Sequence, residues 1–442
     1  MQRTVKAATV AMAASALVLT ACSGGTNSAG DPLPTTAECP EGVTTLKVLT
    51  SEFGFPKAGQ IEDFAKVEQC IEFAVERVPF AQLAEKISVA ASSNNQPDII
   101  GFDGPWTQNF AAQGLLAPLD EYLPQGWKDD VVPATLTEQS YKDRLYGMGI
   151  QQDSLALYYN KDMTDAAGIK VPTNLDEAWT WEEARNAMAK CQQGPTGNPT
   201  VWGWAPNRYS PGNAYRDLLF LRSAGDPTAN KDSSAYKTFY AISSDGKSAS
   251  GWLNTPEAVE GAKFFQSLFT GPHAVASQTA IPNSLIDKRS CFDIEVVGMI
   301  DILNKAKVDF KWGIAPLPYL KTPIAHTGSI TMGIPAKSKN KEAAGKTIVK
   351  MSTGDQLKLY STKTFAQPAL KSTAASVPAL NEFPYKLFTD QIQKIGVPRP
   401  PSPHYVQYEQ YVVEALKDIA TGADPRGALD KAVSRIDPIL SR

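Results

Sequence analysis

The sequence predicts an α/β fold in which strands and helices alternate about a largely parallel sheet. Two observations carry this. Residues 43–101 read strand, strand, helix, strand, which is the alternation of a parallel α/β sheet. The 442 residues, 43% of them hydrophobic, suffice for two or three domain-sized units with real cores.

The elements follow in order. Val43 to Thr50 is β-branched and strand-like. Ile71 to Val78 alternates as a second strand, and Phe80 to Asn94 carries Leu83, Ile87 and Ala90 or Ala91 on one helical face. Pro97 to Gly101 reads as a short buried strand. Leu145–Met148 and Leu155–Tyr159 are two more strands. Thr180 and Glu183 have capping-box spacing, so a helix runs from there to about Cys191. Thr255-Pro256 is an N-cap followed by proline at the first helical position. Val412, Leu416 and Ile419 line a helix that stops at Gly422, and Asp424-Pro425 opens the last one.

The first residues read as a leader. Arg3 and Lys6 precede an apolar run from Ala7 to Thr20. That order is a secretory signal, and the run is shorter than the roughly 18–20 residues that span a bilayer. Leu19-Thr20-Ala21-Cys22 resembles the bacterial lipobox, in which the cysteine is lipidated and becomes the new N-terminus. Residues 1–21 are thus expected to be removed, leaving the chain anchored through Cys22 on the extracytoplasmic face of the cell membrane. Residues 22–39 hold the lipidated cysteine and a flexible Gly/Ser/Thr/Pro linker.

Four cysteines remain, Cys39, Cys70, Cys191 and Cys291, and three pairings are possible. An extracytoplasmic setting permits disulfides. Cys39 and Cys70 each precede a strand, so neighbouring strands favour Cys39–Cys70, with Cys191–Cys291 following.

Composition excludes several functions. A formal net charge of −3 argues against a nucleic-acid partner. Gly345-Lys346-Thr347 ends like a P-loop, but Asn340 stands where the motif needs glycine. Neither G-x-S-x-G nor H-E-x-x-H occurs, and His273, His326 and His404 lack ligand spacing. No catalytic residue, metal or cofactor is expected.

One set of segments is specific. Leu145-Tyr146-Gly147, the polar Gln151–Ser154, Tyr158-Tyr159-Asn160-Lys161-Asp162, Gly168, Pro172 and Trp181-Glu182-Glu183 stand in order. Gln96-Pro97-Asp98 with Gly114–Leu119, Trp312–Pro318, and Gly333–Ser352 agree. Together they resemble the family 1 extracellular solute-binding proteins of carbohydrate ABC importers, the maltose-binding-like group. The resemblance implies a two-lobed, periplasmic-binding-protein-like α/β fold of type II. Each lobe is then a mostly parallel sheet flanked by helices, and hinge crossovers join the two. It places lobe one at 40–152 plus 327–374 and lobe two at 153–326 plus 375–442.

It further implies a monomeric, non-enzymatic binding subunit for a sugar or sugar-like polyol, which works with ABC permease subunits and a cytoplasmic ATPase. A non-sugar ligand such as a glycerophosphodiester, a tethered glycoside-active enzyme and a sensor co-receptor stay open as alternatives. A sugar needs aromatic faces and charged hydrogen-bond groups. Residues of those types at strand ends and crossovers are Glu52, Phe53, Asp103, Trp106, Gln152, Asp153, Trp204, Tyr209, Glu295, Arg399 and Tyr405, with Gly328 and Ser329 bringing backbone near the ligand.

Overall fold

The computed structural model describes residues 39–442 apart from 41, 94, 95 and 196. The leader, Cys22 and almost all of the linker therefore lie outside the described residues.

Two sheets organise the chain. The first has six strands. Thr44–Ser51 lies between Ile71–Val78 and Ile99–Asp103, parallel to both. Gly328–Pro335 then pairs antiparallel with Ile99–Asp103, with Leu116–Ala117 and with Met148–Asp153. The second sheet orders Trp312–Ala315, Leu155–Asn160, Ser290–Val296 and Trp202–Trp204. Only its last pair is parallel.

The expected mostly parallel sheets are therefore mixed. The reason is the crossovers. A parallel neighbour needs a helical connection of a dozen residues or more. Here the chain passes from Met148–Asp153 into Leu155–Asn160 across one residue, Ser154. It returns from Ala325–His326 into Gly328–Pro335 across Thr327. Gly328–Pro335, entering by so short a link, lies between Ile99–Asp103 and Met148–Asp153 and runs against both.

The helices form where the local signals placed them. Thr180 caps Trp181–Cys191 by accepting from Glu183 N at 3.3 Å, and Thr180 N in turn donates to Glu183 Oε2 at 2.7 Å. Thr255 caps Pro256–Phe269, and Asp424 caps Pro425–Leu440. The helix expected from Phe80 spans Phe80–Ser92. Among the described residues no helix is long and apolar enough to cross a membrane.

The disulfides are Cys39–Cys70 and Cys191–Cys291. The second joins the end of the Trp181–Cys191 helix to the Ser290–Val296 strand, 100 residues away in sequence. Both of its cysteines are buried. Replacing Cys191 and Cys291 together by alanine should cost about 2–4 kcal/mol, as for closing a long loop. Reversible urea unfolding of the double variant should show a lower midpoint and a smaller loss for the Cys39/Cys70 pair, whose separation is 31.

Candidate functional site

A cavity of about 390 Å³ opens between the two sheets, near the small end of the about 300–1,000 Å³ usual for small-molecule sites. Its floor is the crossover itself: Gln151, Asp153, Gly328, Ser329 and Ile330. Asp153 pairs with Gly328 in the sheet.

One wall comes from the loop after the first strand. Arg77 pins this loop by donating to Ser51 O and Gly54 O, each at 3.1 Å, and to Pro56 O at 2.6 Å. The loop so held presents Phe53, 39% exposed, to the cavity. Phe53 packs on Phe80 with ring centroids 5.0 Å apart, and Phe80 stacks on Trp106 at 5.1 Å. Phe80, unmarked in the sequence, therefore takes the wall position expected of Trp106. Trp106 is buried behind it and does not line the cavity. Glu52 is also turned away, since its carboxylate accepts from Phe80 N at 2.8 Å and serves the helix start.

The other wall belongs to the second sheet. Glu295 lines it, accepting from Asn207 Nδ2 at 3.4 Å with Arg208 Nε at 3.6 Å. Burial pushes its carboxyl above the usual carboxylate range, against the pull of Arg208. Tyr209 stands at the mouth, 53% exposed. Trp204 does not face the cavity. It is a core residue whose indole donates to Asp293 Oδ1 at 3.3 Å and whose ring lies under the Arg216 guanidinium.

The end of the cavity is closed by Arg399. Its guanidinium lies 2.7 Å from Asp103 and 3.5 Å from Glu409, over the Tyr215 ring at 5.1 Å. Asp103 and Arg399 thus meet at the site, as residues from distant parts of the chain. Tyr405 does not line it. Its hydroxyl donates to Glu409 at 3.1 Å from a buried position and so holds the carboxylate that faces Arg399.

Strand alternation decides the crossover residues. Gln151 and Asp153 point into the cavity; Gln152, between them, is fully buried on the opposite face, and its backbone N–H donates to Gln367 O at 2.8 Å. Gln151 Nε2 donates to Asp153 Oδ1 at 2.7 Å, while its Oε1 accepts from Tyr360 Oη at 3.0 Å. Asp153 is therefore oriented by a pinned amide. Burial raises its carboxyl to about 6, against the hydrogen bond from Gln151.

Ser329 forms part of the floor, with its side chain already engaged. Its hydroxyl donates to Glu138 and accepts from Gln139 Nε2 at 3.0 Å, so it has nothing left to offer a ligand. Gly104 makes room for this arrangement, since a Cβ there would come within 1.8 Å of both Glu138 Oε1 and Ser329 Oγ. Gly328 similarly lets the Tyr215 ring approach the backbone.

Lys57, Phe80, Tyr215, Arg216 and Glu409 line the cavity without having been expected there. Each sits inside or beside a helix, where aromatic and charged residues carry no mark of which face meets a cleft. Among the described residues no group of three or more His, Cys, Asp or Glu side chains could hold a metal. His326 is buried and engaged, with Nε2 2.8 Å from Arg222 and Nδ1 2.9 Å from Tyr215 O.

A cleft between two α/β lobes joined at crossover strands is a usual place for a small-solute site. The chain belongs to the bacterial extracellular solute-binding proteins, whose family model matches residues 50–356. The galactooligosaccharide-binding protein of Bacillus subtilis (strain 168) is 22% identical over 374 residues, 83% of this chain and 82% of that one. A solute-binding protein of an ABC transporter from Thermotoga lettingae TMO, bound with α-D-tagatose, superposes with a TM-score of 0.75 at 21% identity, covering 90% of this chain and 99% of that one. The cyclic α-maltosyl-1,6-maltose binding protein of Arthrobacter globiformis gives 0.71 at 20% identity, covering 90% and 100%.

Two outcomes follow from the buried charges. Burial holds the Glu138 carboxyl at about 8, above its ordinary 4.5, against the pull of Arg399 and Ser329. The folded state then binds a proton that the unfolded state has lost between those values. Stability must fall as pH rises through that window. Glu138→Gln should flatten this part of the pH–stability curve, read by urea midpoints from pH 5 to 9. Arg399→Ala leaves Asp103 and Glu409 facing each other without their shared cation and should cost about 3–5 kcal/mol, seen as a lower urea midpoint.

Proposed function

We propose that this protein is the lipid-anchored substrate-binding subunit of an ABC importer for a neutral sugar or sugar-like polyol. It is a monomer held through Cys22 on the outer face of the cell membrane. It closes on its ligand by hinge motion and delivers it to permease subunits driven by a cytoplasmic ATPase. The lobes are 40–152 with 327–374, and 153–326 with 375–442.

The observation that carries the sugar reading is the character of the cavity. Phe53 and Tyr209 offer exposed aromatic faces from opposite walls. Four basic side chains, Lys57, Arg208, Arg216 and Arg399, are balanced by four acidic ones, Asp103, Asp153, Glu295 and Glu409. A ligand of C–H faces and hydroxyl rims suits both. A glycerophosphodiester fits less well, because Arg399 is already bound by two carboxylates and Lys57 shares its part of the cavity with Asp153. Relatives described as galactooligosaccharide-binding and maltotriose-binding support the same class.

The test is a thermal-shift panel of tagatose, maltose, maltotriose, galacto-oligosaccharides, glycerophosphodiesters and amino acids. A sugar at 100 times its Kd should add about 2.7 kcal/mol of stability and be recovered unchanged. A shift only with phosphodiesters or amino acids would overturn the substrate class. Recovery of a cleaved sugar would make the protein an enzyme. Phe53→Ala and Tyr209→Ala should each weaken the best sugar about tenfold in calorimetric titration, with melting temperatures little changed because both side chains are already exposed.

A further inference from the structure

Three of the four cations of the cavity are answered by a carboxylate. Arg399 lies 2.7 Å from Asp103, Arg208 3.6 Å from Glu295 and Arg216 2.5 Å from Asp217. Lys57 is the exception. Among the described residues its ammonium has no hydrogen-bond or ion-pair partner, and the Phe55 ring centroid lies 5.3 Å from it.

The side chain is half-buried in the cavity lining. A half-buried ammonium with no protein acceptor among the described residues is held by water, and a ligand oxygen can take the place of that water. The placement is fixed by its surroundings. Lys57 caps the Ala58–Ala65 helix with its backbone N–H donating to Gln60 Oε1 at 3.0 Å, and it follows the loop that Arg77 pins.

Asp153 lines the same cavity within electrostatic reach of Lys57. Gln151 takes Asp153 Oδ1, leaving Oδ2 without a protein donor among the described residues. A bank of donors therefore stands near a free acceptor. A hydroxyl both donates and accepts. Two neighbouring hydroxyls satisfy both groups together, whereas a carboxylate or phosphate would meet repulsion from Asp153.

We propose that Lys57 and Asp153 form a subsite gripping two adjacent hydroxyls of the ligand, Lys57 donating to one and Asp153 accepting from the other. Lys57 thereby sets which hydroxyl configuration is preferred. This rests on the sugar reading above.

The experiment is calorimetric titration of the unaltered protein and of Lys57→Met. The probes are the tightest-binding panel sugar, its monodeoxy derivatives, and its uronate and phosphate forms. Lys57→Met should bind the parent sugar at least tenfold more weakly at an unchanged melting temperature. One monodeoxy derivative should lose about tenfold on the unaltered protein and nothing further on Lys57→Met. Lys57→Gln supplies the same comparison if the methionine variant fails to fold. A Kd within twofold of the unaltered protein for the parent sugar would overturn the subsite. So would tighter binding of the uronate or phosphate that Lys57→Met abolishes. If no panel sugar binds the unaltered protein, the sugar reading itself falls, and the subsite with it.

Discussion

The antiparallel pairing of Met148–Asp153 with Gly328–Pro335 is the joint on which the rest of this molecule depends. Both strands belong to the first sheet; Asp153 leads across Ser154 into the second, and Gly328 is reached across Thr327 from Ala325–His326, which pairs with Gly396–Val397. Asp153 stands opposite Gly328 at that place. The lobes are therefore tied by two short tethers lying side by side. The cavity floor is the tether itself, so any change of angle between the lobes acts directly on Gln151, Asp153, Gly328 and Ser329. The second sheet is braced beside this joint. Gln391 Nε2 donates to Leu155 O at 2.8 Å and its Oε1 accepts from Leu317 N at 3.0 Å. The helix Tyr385–Lys394 thus clamps the start of the second sheet.

Charge is buried around this joint in an unusual amount, and each charge is dealt with differently. Among the described residues Arg222 has no carboxylate partner. It donates instead to Phe239 O at 2.6 Å and Pro398 O at 2.9 Å, with its remaining contact to His326. Burial brings its guanidinium down to about 10, and the nearby Tyr408 and Tyr240 oppose that. Burial likewise holds His326 neutral, well below its usual range. A neutral ring accepting at Nε2 must carry its proton on Nδ1, which fits donation to Tyr215 O. The result ties the Ala325–His326 and Gly396–Val397 strands to the helix that carries Tyr215. Arg399, two residues past that strand, is held by carboxylates instead. One short stretch thereby sets both the hinge wiring and the closed end of the cavity.

The division between what was legible and what was not follows local against long-range information. Helix starts were legible because a cap is settled within four residues: Thr180 with Glu183, Thr255 with Pro256, Asp424 with Pro425. Asp103, Asp153, Tyr209, Glu295 and Arg399 could be placed at the cavity because strand ends and crossovers meet there in this kind of fold. Trp106, Trp204 and Tyr405 have the same chemistry as true wall residues, and only packing separates them. Phe80 screens Trp106; Phe269 and Phe220 enclose Trp204. Gln152 differs from its neighbours by one step of strand alternation, and residue type says nothing about which step faces the ligand. Lys57 escaped because its significance lies in a partner it lacks.

Taken by itself, the sequence determined the α/β character, the family, the capped helices and the short list of polar residues at crossovers. These rest on hydrophobic period, cap spacing and ordered motifs, all of which are properties of neighbouring residues. The tertiary structure alone decided that the sheets are mixed, that Phe80 replaces Trp106 at the wall, and that Arg399 is neutralised by Asp103 and Glu409. Those outcomes depend on which residues meet across hundreds of positions, as 103 and 399 do. Burial then sets what each charge is worth, and no local pattern encodes burial.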